Sequence, residues 1–202
     1  SSMAPSFAAQ AQPVRGDWTA DTRNTWPDAD GEPRIQVSLR SSAGDNRWGF
    51  GIRLRDLAGL PPAAVSSVAD SVQFSWTREA GVFRFTGSFN QGRGAGTYTF
   101  TADPAFATNM AAAGYRNLTT DEFVRLAVIG VPIAFARGIA QAGYPSLSLD
   151  DLVRFRIHRV SPEMVRDLAA LGYTQVPADD LVRMAIHGAT PARIRELRAA
   201  GL

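Results

Sequence analysis

A period of 29 residues governs the second half of this 202-residue chain. Gly114-Tyr115, Gly143-Tyr144, Gly172-Tyr173 and Gly201-Leu202 recur at that interval. Asp121, Asp150 and Asp179 share the same phase, as do Val124, Val153 and Val182, and Arg125, Arg154 and Arg183. Pro104, Pro162 and Pro191 mark another slot, in which Ile133 takes the second place. A short helix pair cannot bury its apolar stripe alone, so units repeating at this length must stack on their neighbours.

Each unit carries its own punctuation. Thr119-Thr-Asp-Glu122 and Ser148-Leu-Asp-Asp151 read as capping boxes, with acids facing the positive end of the helix they open. That first helix ends near Gly130, Arg159 or Gly188. A second helix starts at Asp103-Pro104, Ser161-Pro162 and Thr190-Pro191, a capping oxygen followed by proline where no amide is needed. It stops at Gly114, Gly143, Gly172 and Gly201, where glycine supplies the left-handed cap. Phe123, Leu152 and Leu181 on the first helices, and Met110, Ile139, Leu168 and Leu197 on the second, form the predicted apolar spine. The array begins with a half repeat directly after the last strand. Helix 104–113 is therefore expected to pack on the preceding domain and be capped by it.

Upstream the period is two. Ile35, Val37 and Leu39 alternate with polar neighbours, as do Trp48, Phe50, Ile52 and Leu54. So do Val72, Phe74 and Trp76, then Phe83 and Phe85, then Tyr98 and Phe100. Such alternation gives each strand one buried and one wet face. Glu79-Ala80-Gly81 predicts a tight hairpin, Asn90 to Gly96 a looser, flexible turn, and Gly16-Asp17-Trp18 the opening strand. The fold class is α+β: an N-terminal antiparallel β-sandwich or small barrel of five to seven strands, followed by a short α-solenoid of helix-pair repeats. Its expected parts are a tag remnant and linker over 1–15, the β-domain over 16–102 and the repeats over 103–202.

Composition removes whole classes of chemistry. All 21 basic residues are arginine, against 19 acids. The absence of lysine removes a phosphate-loop lysine, a Schiff base and a lysine general base. The absence of cysteine removes disulfides, thiolate nucleophiles and Cys-based zinc sites. Gly92-Arg-Gly-Ala-Gly96 lies between strands rather than before a helix, which argues against phosphate binding there. No Gly-x-Ser-x-Gly elbow and no His-Glu-x-x-His pair occurs. The expectation is a non-enzyme without cofactor or metal. No stretch approaches the length of an apolar membrane span.

Three sets of residues remain as candidates for binding. Arg125, Arg154 and Arg183 place one guanidinium per repeat at a fixed offset, a ladder suited either to an acidic partner or to salt bridges with neighbouring repeats. His158 and His187 share a slot where the first repeat has Ile129; helix-end hydrogen bonding explains them, with a metal or proton-sensing role as the alternative. The paired acids Asp150/Asp151 and Asp179/Asp180 are explained as caps.

The repeats AGYPSLSLDDLVRFRIHRVSPEMVRDLAALGY and TQVPADDLVRMAIHGATPARIRELRAAGL follow REAGVFRFTGSFNQGRGAGTYTFTADPAF. Over residues 70–202 this resembles the extracytoplasmic C-terminal portion of bacterial membrane signalling proteins, among them BlaR-type membrane metallopeptidase homologues and anti-sigma-factor-like proteins. The resemblance implies sensing or protein interaction outside the membrane. That family's zinc peptidase motif is absent, so it carries over no catalytic residue. The Ala/Gln-rich stretch from Ala4 to Gln12 is similar to a signal-peptide tail or juxtamembrane linker, and Ser1-Ser2-Met3 to a tag remnant, so a periplasmic location is expected. A second likeness points elsewhere. IHGATPARIRELRAAGL is similar to a helix-hairpin-helix nucleic-acid-binding unit, although proline after Thr190 removes one of the amides such a hairpin offers to phosphate. The expected partner is a protein or a second copy, with nucleic acid as the alternative.

Overall fold

The computed structural model describes residues 13–22, 31–42 and 46–201. The predicted tag remnant and linker fall largely outside them, as does Leu202. The architecture is α+β, a curled antiparallel seven-stranded half-barrel followed by helices.

The strands are β1 (Val14–Asp21), β2 (Arg34–Ser41), β3 (Arg47–Arg53), β4 (Leu57–Ala58), β5 (Val68–Arg78), β6 (Gly81–Asn90) and β7 (Arg93–Ala102). They form one sheet in the order β3-β2-β1-β7-β6-β5-β4. The predicted alternation is what the strands show. Trp18, Val37, Leu39, Phe74, Phe83, Phe85, Tyr98 and Phe100 are buried, while their sequence neighbours face outward or lie half-covered. A one-turn helix, α1 (Pro62–Ser66), lies against β5 and β6.

A sandwich was one of two predicted forms, and a second sheet is not what covers this core. The single sheet bends over its own aromatic side chains instead. Trp18 pairs across the ladder with Gly96, and Gly96 with Gly87. A Cβ on Gly87 would land on the Ala95 carbonyl oxygen and 2.8 Å from Trp18 Cζ2, and one on Gly96 would strike the Thr86 carbonyl oxygen. The indole thus lies on a floor of bare backbone, where glycine lets the sheet bend. Its Nε1–H donates to Thr86 O at 3.2 Å. Phe74, Phe85 and Phe89 crowd the same ring at centroid distances of 5.4, 6.0 and 5.6 Å.

The same glycines correct the expected flexible turn over Asn90–Gly96. β6 and β7 are joined by only two residues, Gln91 and Gly92, with φ of 46° and 86°. Two successive positive φ values match the tight hairpin turn that follows strand twist. Gly94 and Gly96 lie inside β7, where the rings of Trp18 and Phe89 leave no room for a side chain on Gly94 and the Thr86–Gly87 backbone leaves none on Gly96. The Glu79-Ala80 hairpin is as expected, with Arg78 opposite Gly81.

The helices recur in strict phase. α2 (Pro104–Ala112), α4 (Ile133–Gln141), α6 (Pro162–Ala170) and α8 (Pro191–Ala199) start 29 residues apart, as do α3 (Thr120–Ile129), α5 (Leu149–Ile157) and α7 (Ala178–Ile186). The caps fall where the sequence puts them. Thr119 Oγ1 accepts the Glu122 amide at 3.3 Å while Glu122 Oε2 accepts the Thr119 amide at 2.6 Å, the reciprocal box. Ser148 Oγ accepts the Asp151 amide at 3.0 Å, but the shorter Asp151 side chain takes its hydroxyl proton rather than the backbone amide. Ser161 and Thr190 accept the Met164 and Arg193 amides at 3.1 and 3.2 Å. Gly114, Gly143, Gly172 and Gly201 all have positive φ. Tyr115, Tyr144 and Tyr173 then return their amides to Met110, Ile139 and Leu168, which closes each helix end.

The described chain divides into two compact units. The sheet unit takes Ser1–Ala107 with Thr119–Val128, so it includes the first turn of α2 and nearly all of α3. Within it Phe106 and Phe123 meet edge to face at 6.2 Å, Asn46 Nδ2 donates to Asp121 Oδ2 at 2.7 Å, and Arg78 Nε donates to Ala127 O at 3.0 Å. The helical unit takes Thr108–Leu118 with Ile129–Leu202. There α4 touches α6, α5 touches α7, and α6 touches α8, each helix meeting its in-phase counterpart. Met110, Ile139 and Leu168 of the predicted spine are fully buried.

Candidate interaction surface

The arginine ladder divides between the units. Arg125 lies on α3, in the sheet unit, and has interaction partners of its own. In the helical unit Arg154 Nη1 sits 2.9 Å from Asp151 Oδ1 on its own helix and 2.7 Å from Asp179 Oδ1 on α7. Hydrogen bonds to Asp179 and then Asp151 push the Arg154 pKa up from its ordinary value. Arg183 Nη2 lies 3.4 Å from Asp180 Oδ1. All three pairs are at least partly solvent-exposed, so they set side-chain direction more than they add stability. The reading of the ladder as bridges between repeats therefore describes Arg154. The Asp179/Asp180 pair is not the expected cap: Pro177 precedes α7 with no side-chain cap hydrogen bond, and the two acids stand in its first turn, where Asp179 takes this bridge.

His158 and His187 are the C-cap residues of α5 and α7, their amides returning to Arg154 O and Arg183 O. His158 is half-buried and His187 exposed. Among the described residues no group of three His, Cys, Asp or Glu side chains stands close enough to hold a metal ion. No single described helix is long and apolar enough to cross a membrane.

A different set of side chains stands out, which the sequence reading passed over. Ile157 is 51% exposed and Ile186 56%, and they fill the same slot of successive repeats, directly before the two histidines. Their helices α5 and α7 touch. The signal was present as two in-phase isoleucines, but in-phase apolar residues were read as spine. Helical geometry separates the roles. Leu152, Val153 and Phe155 already fill the inward face of α5, and a residue two positions beyond Phe155 points about 200° away from it.

The last repeat adds two more. Leu197 is 36% exposed although Met110, Ile139 and Leu168 in its slot are fully buried. Tyr173 is 42% exposed, whereas Tyr144 in its slot is half-covered, its hydroxyl donating to Val176 O at 2.5 Å and its ring meeting Phe155 at 6.1 Å. The Arg198 guanidinium lies 5.3 Å from the centre of the Tyr173 ring and donates to Leu171 O at 3.1 Å. An arginine stem covers apolar surface while keeping its charge wet.

Two clefts stand out among the described residues of the sheet unit. One of about 380 Å³ lies over β1–β3 and is lined by Asp17, Arg40, Arg47 and Trp48. The other, about 300 Å³, is lined by Arg34, Arg53, Asp56, Trp76, Arg78 and Val128. Comparison with protein-family models, with curated proteins and with solved structures found no match. The argument for function therefore rests on the residues themselves.

Proposed function

We propose that this chain is a non-enzymatic protein-interaction module in which helix-pair repeats stack as a short α-solenoid. The observation that carries the reading is the repeated exposure of Ile157 and Ile186. Singly exposed apolar residues are ordinary. Two in one slot on touching helices make a strip, spaced by roughly the 10 Å of packed helices. Covering the exposed half of each would contribute roughly 1 kcal/mol, so the strip favours an apolar protein face over solvent. The module is read as the sensing or interaction part of a bacterial envelope signalling protein acting outside the cytoplasm. That assignment rests on the resemblance of residues 70–202 and on the Ala/Gln-rich stretch before Pro13.

Photo-crosslinkers at positions 157 and 186 of the full-length protein in its native cells test the proposal, with exposed Glu163 on α6 as the control position. Protein adducts from 157 and 186, absent from 163 and lost on Ile157→Asp/Ile186→Asp substitution, support it. Equal labelling from all three positions, or none, sinks it. Retention on duplex DNA with a steep salt dependence would favour the helix-hairpin-helix alternative. Against that alternative, Arg193 pairs with Glu196 and Arg195 with Asp167, at 3.0 and 3.5 Å.

A further inference from the structure

Curling of the sheet brings β3, at one edge, towards β5, next to the other. Phe50 stacks on Trp76 at 5.1 Å across that seam. Just beyond the stack lies the cleft of about 300 Å³, lined by guanidinium groups from three strands: Arg34 of β2, Arg53 of β3 and Arg78 of β5. Asp56 is the one carboxylate among its lining residues. Arg34 and Arg53 are direct cross-strand partners.

Each guanidinium is held in place. Arg34 Nη2 donates to Gly51 O at 2.9 Å, Arg53 Nε to Asp56 Oδ2 at 3.0 Å and Arg78 Nε to Ala127 O at 3.0 Å. Arg78 also lies over the Trp76 ring, 4.8 Å from its centre. The Ala127 contact sets positive charge against the last turn of α3, whose negative end would otherwise oppose an anion in the cleft. Trp76 and Val128 complete the lining beside the three guanidinium groups. A guanidinium presents five donors in a planar fork matched to carboxylate and phosphate oxygens.

We propose that this seam is an oxyanion-binding site, taking a carboxylate or phosphate group of a small anion between Arg34, Arg53 and Arg78. It is independent of the helical strip. The volume stands at the lower end of ligand pockets, which suits a small diacid or phosphate.

Thermal unfolding and arginine Nε–Hε NMR of the full chain, titrated with succinate or inorganic phosphate against chloride at matched ionic strength, provide the test. The expected result is a saturable response at one equivalent to at least one probe, and which probe acts tells carboxylate from phosphate. Arg53→Gln is expected to weaken it about tenfold or more, since a charge-assisted bond is lost, and Asp56→Asn to strengthen it. Arg34→Gln repeats the test from the neighbouring strand if Arg53→Gln disturbs the edge. No saturable response to either probe, or the same response in wild type and both arginine variants, overturns the proposal.

Discussion

Removing one hydroxyl should make this protein more stable. Tyr98 is buried in the curled sheet, and its hydroxyl has no hydrogen-bond partner among the described residues. The ring sits between Phe83 and Phe85, at 6.2 and 6.3 Å, and presses on Gly16, whose missing Cβ would lie 2.7 Å from Tyr98 Cε1. Tyr98→Phe keeps these contacts and deletes only the unsatisfied group. An orphaned buried polar group costs about 1–3 kcal/mol, so the variant should gain about that much. The same hydroxyl has its pKa pushed up to about 12, first by burial and then by the charges of Asp121 and Asp17. The folded state therefore holds this proton more tightly than the unfolded chain does. That contribution is complete below pH 10 and disappears as pH rises through about 12, a loss of up to about 3 kcal/mol. Urea unfolding of wild type and Tyr98→Phe at pH 7 and pH 11 reads both effects: a higher midpoint at pH 7, and a gap that widens at pH 11. If Tyr98→Phe loses stability at pH 7, the hydroxyl is satisfied in solution and the argument fails.

Arg159 stands at φ 61° in the slot that Gly130 and Gly188 fill at 73° and 70°. Arg159→Gly should gain about 0.5–1 kcal/mol in urea unfolding, because the left-handed penalty of ~1–2 kcal/mol outweighs glycine's extra chain entropy. Gly96→Ala should lose about 3 kcal/mol or more, since the new Cβ meets the Thr86 carbonyl and the Gly87 backbone rather than a movable side chain. Calorimetry should show that loss in the sheet unit. Leu168→Ala should cost about 2–5 kcal/mol and Leu197→Ala only about 1, although both fill the same slot, because only the first leaves a closed cavity. Equal losses in paired denaturation curves would mean that α8 is packed as tightly as α6.

Local chemistry was read from sequence most reliably. Capping oxygens, prolines at helix starts and left-handed glycines act within four residues, and Thr119, Ser148, Ser161 and Thr190 each do what their spacing predicts. What failed required knowledge of distant partners. Gly94 looks like part of a flexible turn because the Trp18 ring that needs it bare lies far away along the chain. Two predicted forms of the β-domain were open for the same reason: alternation gives the two faces of a strand but not the curvature of the sheet. Arg34, Arg53 and Arg78 escaped notice altogether. Each is ordinary in its own strand, and the cluster exists only once the sheet curls.

One repeat slot ties the two halves of the functional argument together. Val128 of α3, Ile157 of α5 and Ile186 of α7 occupy equivalent positions at 29-residue spacing. Ile157 and Ile186 lie outside the buried faces of their helices, which Leu152, Val153 and Phe155 supply on α5 and Leu181 and Val182 on α7. In the sheet unit the slot has another place: Val128 lines the arginine cleft together with Trp76. In the other two repeats the same chemistry stands in solvent. On the function proposed above, Ile157 and Ile186, each followed by a histidine, would serve contact rather than folding, whereas Val128 is followed by Ile129. Substituting Ile157 with Ser should then leave stability within about 0.5 kcal/mol of wild type, as for other surface changes away from packing. Val128→Ser should shift the Trp76 environment and any response to oxyanions. A large stability loss from Ile157→Ser would return that slot to the spine.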